Sequence, residues 1–314
     1  MRAAVYRSDG VVGVEDVSTP DPGPGEVRVR VHVSGVNPTD WKARAAGLEF
    51  QVPNQDGAGV IESVGPGVDA SRVGERVWIY FAAWQRRWGT AAEFCVVPSS
   101  QAVAFEGAFE LGASLGIPAL TAYHCLFADG PISGKNVLVQ GGAGAVGHAA
   151  IELAKWAGAR VVATVSSPEK AELARAAGAD AVAHYNTDDY ALSMQSFLPD
   201  GADRIVEVNL LANVSDDLGF AAPHAVISSY AGGPDDIVQV PIRALMSPNI
   251  VLRFVLVYTI PPEALTAAVE GVSRALEVGA LTTLPLHRFP LERAAEAHDA
   301  VQAGAVGKVL IDIP

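Results

Sequence analysis

Residues 136–170 read NVLVQGGAGAVGHAAIELAKWAGARVVATVSSPEK, and this stretch decides the fold. Val137, Leu138 and Val139 form a short apolar run suited to a strand buried on both faces. Gly142, Gly144 and Gly147 follow at the spacing G-x-G-x-x-G. Val146, Ala150, Leu153 and Ala157 then recur at helical spacing until Gly158. A second apolar run, Val161 to Val165, completes a strand–helix–strand unit. Glycine lets the backbone turn sharply and approach a pyrophosphate, and a helix N-terminus offers unpaired N–H groups at the positive end of its dipole. The same triplet in a surface turn would mean nothing. Here it follows a strand and opens a helix, which is the context of a dinucleotide site.

The residues after Val165 bear on which dinucleotide. An NAD site usually ends its second strand with Asp or Glu, which binds the ribose 2′-hydroxyl. This chain has Ser166, Ser167, Pro168, Glu169 and Lys170, with the nearest acid inside the next helix. Two hydroxyls and an ammonium suit a 2′-phosphate better and predict NADPH. The plainer role of Ser166 and Ser167 is to cap that helix, with Pro168 in its first turn.

The length of 314 residues suggests two domains, and 50% hydrophobic content allows sizeable cores. A formal net charge of -13 without a basic cluster argues against binding nucleic acid or an anionic membrane. Cys95 and Cys125 are the only cysteines, which gives no disulfide framework and fits a reducing cytoplasm. The N-terminal MRAAVYRSDG has no signal-peptide character, and no apolar run of about 18 residues occurs.

Before residue 100 the chain reads as mostly β, with Val-rich runs at 11–17, 27–36, 57–64, 77–80 and 91–97 between Gly- and Pro-rich turns. Residues 107–130 turn helical. From Asn136 strands are expected at 136–140, 160–165, 180–184, 203–208, 224–229 and 249–257, with helices at 145–157, 168–177 and 187–198. That alternation fits a doubly wound parallel sheet. An amphipathic helix follows Pro261-Pro262, Pro290 is expected to start another that ends near Gly304, and Val309–Ile313 is a last strand. These C-terminal pieces are expected to return to the β domain, with the ligand between two lobes.

The ordered set VNPTDW (36–41), DGAGVIESVG (56–65), GERVW (74–78), GTAAEF (89–94), PALTAYHCL (118–126), GGAGAVG (141–147), EVN (207–209) and EAHDAV…GKVLI (296–311) resembles the medium-chain dehydrogenase/reductase superfamily. Within it the chain is similar to the zinc-free quinone oxidoreductase, or zeta-crystallin-like, branch. The resemblance implies an α/β fold with a Rossmann domain at 119–257 inserted into a GroES-like β domain made of 1–118 and 258–314. Zinc-dependent members carry a Cys before the Thr/Ser-Asp pair and a Gly-His-Glu triplet. Here Asn37-Pro38 precedes Thr39-Asp40, the triplet is Asn54-Gln55-Asp56, and Gly116-Ile117-Pro118 offers no third ligand. The four-Cys structural lobe is also absent, so no metal is expected. His148 and His298 read as packing or helix-surface residues.

The resemblance also assigns cofactor contacts. Ala145 and Val146 are to offer N–H groups to the pyrophosphate. Ser166, Lys170 and Tyr185 match the 2′-phosphate site. Asn209 is to lie near the ribose, Thr121 near the nicotinamide, and Lys308 is to touch the cofactor. Their plainer roles are a turn residue for Asn209, a solvent-facing lysine for Lys308 and a loop aromatic for Tyr185.

Without metal, the implied chemistry is hydride transfer from the nicotinamide to an electron-poor acceptor, a quinone or another α,β-unsaturated carbonyl. Asn37, Asp40, Gln55 and Tyr258 are candidates near it. Asn37 offers an amide to an acceptor oxygen or holds the Asn-Pro turn, and Asp40 caps a helix beginning at Trp41. Phe254 and Tyr258 stack on a planar ring or pack internally. Several quinone reductases of the branch have tyrosines after the Asn-Pro motif, but 41–50 has none. Trp41, Phe50, Trp84 and Trp88 are the aromatic side chains left to shape a pocket. The apolar segment NIVLRFVLV (249–257) at the sheet's end predicts a homodimer joined edge to edge. The competing functions are a tailoring enoyl reductase for a specialised metabolite and a non-catalytic NADPH-binding protein.

Overall fold

The computed structural model describes residues 1–7, 10, 12–43 and 50–314. Val11, from the first β run, and residues 44–49, from the tyrosine-free stretch, lie outside the described residues. The chain divides into two compact units, Met1–Ile117 with Thr283–Pro314, and Pro118–Thr282.

The first unit opens with β1 (Arg2–Tyr6), β2 (Val12–Asp16) and β3 (Glu26–Val36). The short α1 (Pro38–Lys42) follows, then β4 (Asp56–Val64), β5 (Arg76–Ile79), β6 (Phe94–Pro98) and β7 (Ala102–Ala104). α2 (Phe109–Phe127) contains the division between units, at Ile117/Pro118, where proline has no amide to give the helix ladder. The second unit continues with β8 (Asn136–Val139), α3 (Ala145–Trp156), β9 (Arg160–Val165), α4 (Pro168–Ala176) and β10 (Ala181–His184). α5 (Tyr190–Phe197), β11 (Ala202–Glu207), α6 (Leu210–Phe220), β12 (Ala221–Ser229), α7 (Ile242–Met246), β13 (Val251–Phe254) and α8 (Pro262–Glu277) complete it. The chain then returns to the first unit through β14 (Leu286–Pro290), α9 (Ala294–Gln302) and β15 (Lys308–Asp312).

In the first unit β14, β15, β3, β4, β5 and β7 lie in that order, and β6 pairs with β3. β15 runs antiparallel to β3, with Val309 opposite Val36 and Leu310 opposite Gly35. That register sets Lys308 beside the start of α1. Val27, Val29 and Val31 alternate inward with Ile61, Val77, Ile79, Val97 and Ile311 to fill the core.

In the second unit the order is β10-β9-β8-β11-β12-β13, and every pair is parallel. Counted within this unit, the order is 3-2-1-4-5-6, the doubly wound dinucleotide fold. Its switch point lies between β8 and β11. Leu138, Val162, Ile205 and Ile227 are buried across the sheet centre, as expected for strands covered on both faces.

Several sequence expectations are corrected. The second passage between units falls at Thr282/Thr283, not 257/258, because α8 packs within the second unit. Gly271 there sits so close to Tyr123 of α2 that a Cβ would lie 2.0 Å from its ring. Pro290 ends β14 and, as expected, precedes a helix: it is the N-cap of a 3-10 turn, Leu291–Arg293, that runs into α9 at Ala294. The segment 249–257 holds a strand of four residues, Val251–Phe254. α6 was not expected, since Asn, Ser and Asp weaken its helical propensity. Its signal was nonetheless present, with Asn209 at the N-cap and Leu210, Val214 and Leu218 at helical spacing. We expect Gly271→Ala to destabilise the protein by about 1–3 kcal/mol through this clash. Adding Tyr123→Ala should recover part of that loss, read by denaturant unfolding of the single and double variants.

Candidate functional site

The glycine loop connects β8 to α3. Gly142 donates its N–H to the Thr164 carbonyl at 3.0 Å, and a Cβ on it would lie 2.8 Å from that of Ala163. A Cβ on Gly147 would stand 2.3 Å from the Gly141 carbonyl oxygen. Gly141 itself has φ +72°, the left-handed region that glycine occupies freely. Gly144, the N-cap of α3, is exposed, so its backbone is open to a ligand. Ala145 and Val146 are the first residues of α3, whose amides have no acceptor within the helix. This cradle fits a pyrophosphate.

At the end of β9 the two serines differ, and only one takes the capping role foreseen for both. Ser167 caps α4, its Oγ accepting the Lys170 N–H at 3.3 Å. Ser166 Oγ accepts a hydrogen bond from Lys170 Nζ at 2.9 Å. Tyr185 donates its N–H to the Val165 carbonyl, leaving its ring 52% exposed beside them. Asn209 follows β11 across the switch point and caps α6. Thr121 is buried in the second-unit part of α2. Phe254 ends β13 at 70% exposure, and Tyr258 lies in a 3-10 turn, Val257–Thr259.

The first unit gathers Asn37, Gln55, Lys308 and Asp40, all candidates from the sequence, with Asp56, which was not one. Lys308 is neither solvent-facing nor exposed: it is 3% exposed, and its Nζ donates to Asn37 Oδ1 at 2.8 Å and to the Val36 carbonyl at 3.3 Å. Asn37 Nδ2 donates to Asp56 Oδ2 at 2.7 Å. Asp56 also accepts the Ile117 N–H at 2.9 and 3.0 Å. The helix expected from Trp41 starts at Pro38. Asn37 is its N-cap, and Asp40 closes a capping box by accepting the Asn37 N–H at 2.7 Å. Gln55 Oε1 accepts the Ala83 N–H at 3.1 Å, so its side chain pins a loop. Trp41 lies half-buried on α1, with Lys42 over its ring. Phe50 and Trp88 meet edge to face against the first-unit core. His298 is fully buried, between Asn54 Oδ1 at 2.8 Å and the Tyr6 hydroxyl at 2.9 Å. His148 is buried beside Glu152 and Thr282.

Burial pushes Asp40 up to about 8, with the Asp56 charge adding to it, and burial pushes Asp56 up to about 6 against the pull of Lys308. Burial lowers Lys308 while Asp56 and Asp40 oppose that shift. At neutral pH the cluster therefore holds an ionised Asp56, joined to Lys308 through the Asn37 amide, and a neutral acid at Asp40.

The alcohol dehydrogenase GroES-like domain matches residues 23–107, and the zinc-binding dehydrogenase family matches residues 145–274. Quinone oxidoreductase of Pseudomonas aeruginosa is 31% identical over 313 residues, covering 96% of this chain and 94% of that protein. The chain belongs to the quinone oxidoreductase family of medium-chain dehydrogenases/reductases. It is thus an NAD(P)-dependent oxidoreductase. Human quinone oxidoreductase is 27% identical over 307 residues, 94% of this chain and 92% of that protein. A mycobacterial protein solved in complex with NADPH superposes with a TM-score of 0.85 at 28% identity, over 99% of this chain and 100% of that one.

A zinc ion, which the second description raises, does not fit these residues. The aligned positions offer the amides of Asn37 and Gln55, and the Asn37 oxygen is taken by an ammonium that repels a dication. Among the described residues no group of three or more His, Cys, Asp or Glu is placed to hold a metal. No helix of the described residues is long and apolar enough to cross a membrane.

The raised acids set a pH dependence. Asp40 and Asp56 contribute stability that is full below the ordinary carboxylate range and is lost as pH rises through about 8 and about 6 respectively. We expect the urea midpoint to fall between pH 6 and 8, and Asp40→Asn to remove one proton's share of that fall, about 1.4 kcal/mol per pH unit. Parallel denaturation curves of the two proteins across that interval check it.

Proposed function

We propose that this protein is an NADPH-dependent reductase of quinones or other α,β-unsaturated carbonyls that works without a metal ion. The observation that carries the choice of cofactor is the Lys170 ammonium held on Ser166 at the end of β9, where an NAD site has an acid. A cation with a hydroxyl favours a 2′-phosphate, and Tyr185 offers a flat, exposed ring beside it. The NADPH complex of the mycobacterial relative supports the same reading.

In this reading Gly142, Gly144, Ala145, Val146 and Gly147 receive the pyrophosphate, Asn209 the ribose, and Thr121 the nicotinamide end. Bound there, the nicotinamide supplies a hydride to the acceptor. Asn37 presents an amide hydrogen to the acceptor oxygen, and Lys308, clamped on the same amide, acts through it rather than by direct contact with the cofactor. Trp41 and Gln55 with Phe254 and Tyr258 are the side chains we assign to the acceptor. A quinone needs no proton donor at carbon, since its reduced oxygens take protons from water. An enone needs one, and that difference separates the two substrate classes.

We also assign the protein to the cytoplasm and to a homodimer. Both cysteines are free and buried. β13 is the edge of its sheet, and Val251, Phe254 and Leu256 are 44%, 70% and 52% exposed along it. An apolar edge of this kind pairs with its own copy more readily than with water. Sedimentation equilibrium should report twice the chain mass, and Phe254→Asp should return a monomer.

The function is tested by NADPH oxidation against parallel panels of quinones and enones after exhaustive chelation. We expect quinone turnover at an undiminished rate. No turnover with either panel, despite NADPH binding, would leave the non-catalytic reading standing, and turnover of enones alone would favour the enoyl reductase. Ser166→Ala with Lys170→Ala should weaken NADPH by about ten- to a hundredfold while leaving NADH unchanged, as fits the loss of charge-assisted bonds of about 1.5–3 kcal/mol.

A further inference from the structure

A line of buried polar groups runs from the glycine loop to α6. The Gly141 N–H donates to Thr164 Oγ1 at 3.3 Å, and Thr164 Oγ1 donates to Gln140 Oε1 at 2.5 Å. Gln140 Nε2 donates to Asp217 Oδ1 at 2.9 Å. Asp217 is fully buried, and its second oxygen, Oδ2, has no hydrogen-bond donor. The Glu207 carboxyl, also fully buried, lies within hydrogen-bonding reach of Asp217. Glu207 Oε1 in turn accepts the backbone N–H of Asn209, and Asn213 Nδ2 donates to both Glu207 oxygens at 3.1 and 3.2 Å. The titratable groups around this line are acidic or neutral. Tyr190 of α5 reaches Gln140, Asp216 of α6 lies near Asp217, and Tyr230 after β12 donates its N–H to the Glu207 carbonyl. The charges that reach Asp217 come from Glu207 and Asp216, both negative.

Two buried carboxyls in contact, with no cation among the described residues reaching Asp217, cannot both ionise. A proton on Asp217 Oδ2 satisfies the orphan oxygen and gives Glu207 a donor, while Asp217 Oδ1 stays a carbonyl acceptor for Gln140. We propose that Asp217 keeps a proton at neutral pH and donates it to Glu207, and that this acid pair positions the dinucleotide by bracing the glycine loop and Asn209 on the two sides of the switch point. This rests on the reading that the dinucleotide occupies that loop. Burial and the Glu207 charge together push Asp217 up to about 9. Loss of the proton sets a second negative charge beside the first. Repulsion between the two carboxylates then strains the line at Gln140, whose amide joins Asp217 to Thr164 and, through Thr164, to the Gly141 N–H. Asp217 and Glu207 are positioning residues in this account, since neither touches the cofactor.

The test has two readouts. In the infrared spectrum of the cofactor-free Asp40→Asn variant, which removes the neutral acid of the first unit, one protonated carboxyl band should persist at neutral pH, disappear as pH rises through about 9, and be missing when Asp217→Asn is added. In fluorescence titrations, the Kd for NADPH should weaken about tenfold or more between pH of about 8 and about 10, corresponding to about 1.4 kcal/mol or more. NADH should follow the same profile, because the braced loop does not touch the 2′-phosphate. Asp217→Asn, whose amide donates to Glu207 and accepts from Gln140 as the protonated acid does, should bind with a flat profile over that range. A folded protein without the infrared band overturns the shared proton, and an unchanged alkaline loss in Asp217→Asn overturns the positioning role. A chain that binds neither dinucleotide at any pH overturns the proposed function and the positioning role together, while the infrared band still decides where the proton sits.

Discussion

The second unit depends on the approach of two backbone segments that leaves no room for a Cβ. With a side chain on Gly147, the Gly141 carbonyl would be only 2.3 Å from its Cβ, and a side chain on Gly142 would press on Ala163 at 2.8 Å. Because both positions are glycine, the short loop 140–144 can turn the chain from β8 into α3, which packs against β9. Its first amides then project past the sheet's carboxyl edge. Strand order does the rest. β9 and β11 leave β8 on opposite sides, so the segments that follow them, with Ser166 and Asn209, flank the loop. Residues far apart in sequence, to which we assign the dinucleotide, come to one edge of the sheet for that reason.

The first unit meets a different constraint, a cation buried at a strand end. Lys308 comes to Asn37 because β15 pairs with β3 in the register Val309 to Val36. A buried ammonium demands partners on every donor, and an amide oxygen, a carbonyl oxygen and a carboxylate one amide away answer that demand. The small residues around it follow. A Cβ on Gly116 would stand 2.0 Å from Asp56 Oδ1, and one on Gly35 would stand 2.0 Å from the Ala113 carbonyl oxygen. Asn37, Asp56 and Lys308 thus form a packed polar cluster joined by hydrogen bonds.

Much of this was legible in the sequence. The alternating strands and the strand–glycine loop–helix order are local signals, legible because they lie within one strand–helix–strand unit. α6 was missed because its residues favour turns, although Asn209 marked its start. The side-chain clusters were less legible for a physical reason. Lys308 and Asn37 are separated by most of the chain, and only the antiparallel register of β15 with β3 brings them together. Nothing local distinguishes Lys308 from a surface lysine. Asp56 and Asp217 likewise look like ordinary polar residues, since burial is decided by packing partners that sequence periodicity does not name.

The two buried networks share a construction that explains why they persist despite their cost. Replacing a buried polar network with apolar groups of equal volume is often neutral or stabilising, so stability alone does not account for them. In each, a single side-chain amide links a buried ionisable group to a second polar group: Asn37 between Lys308 and Asp56, Gln140 between Asp217 and the Thr164 hydroxyl that holds the loop. An amide donates at one end and accepts at the other, so both ends must be satisfied by the right partner before either bond forms well. That requirement admits one rotamer and one protonation state. An apolar core would tolerate small slides of strand on helix, whereas these amides do not. The segments they fix, the start of α1 in one unit and the glycine loop in the other, are the ones to which we assign the acceptor and the dinucleotide. Specific geometry at those two places is what the unfavourable burial of charge secures.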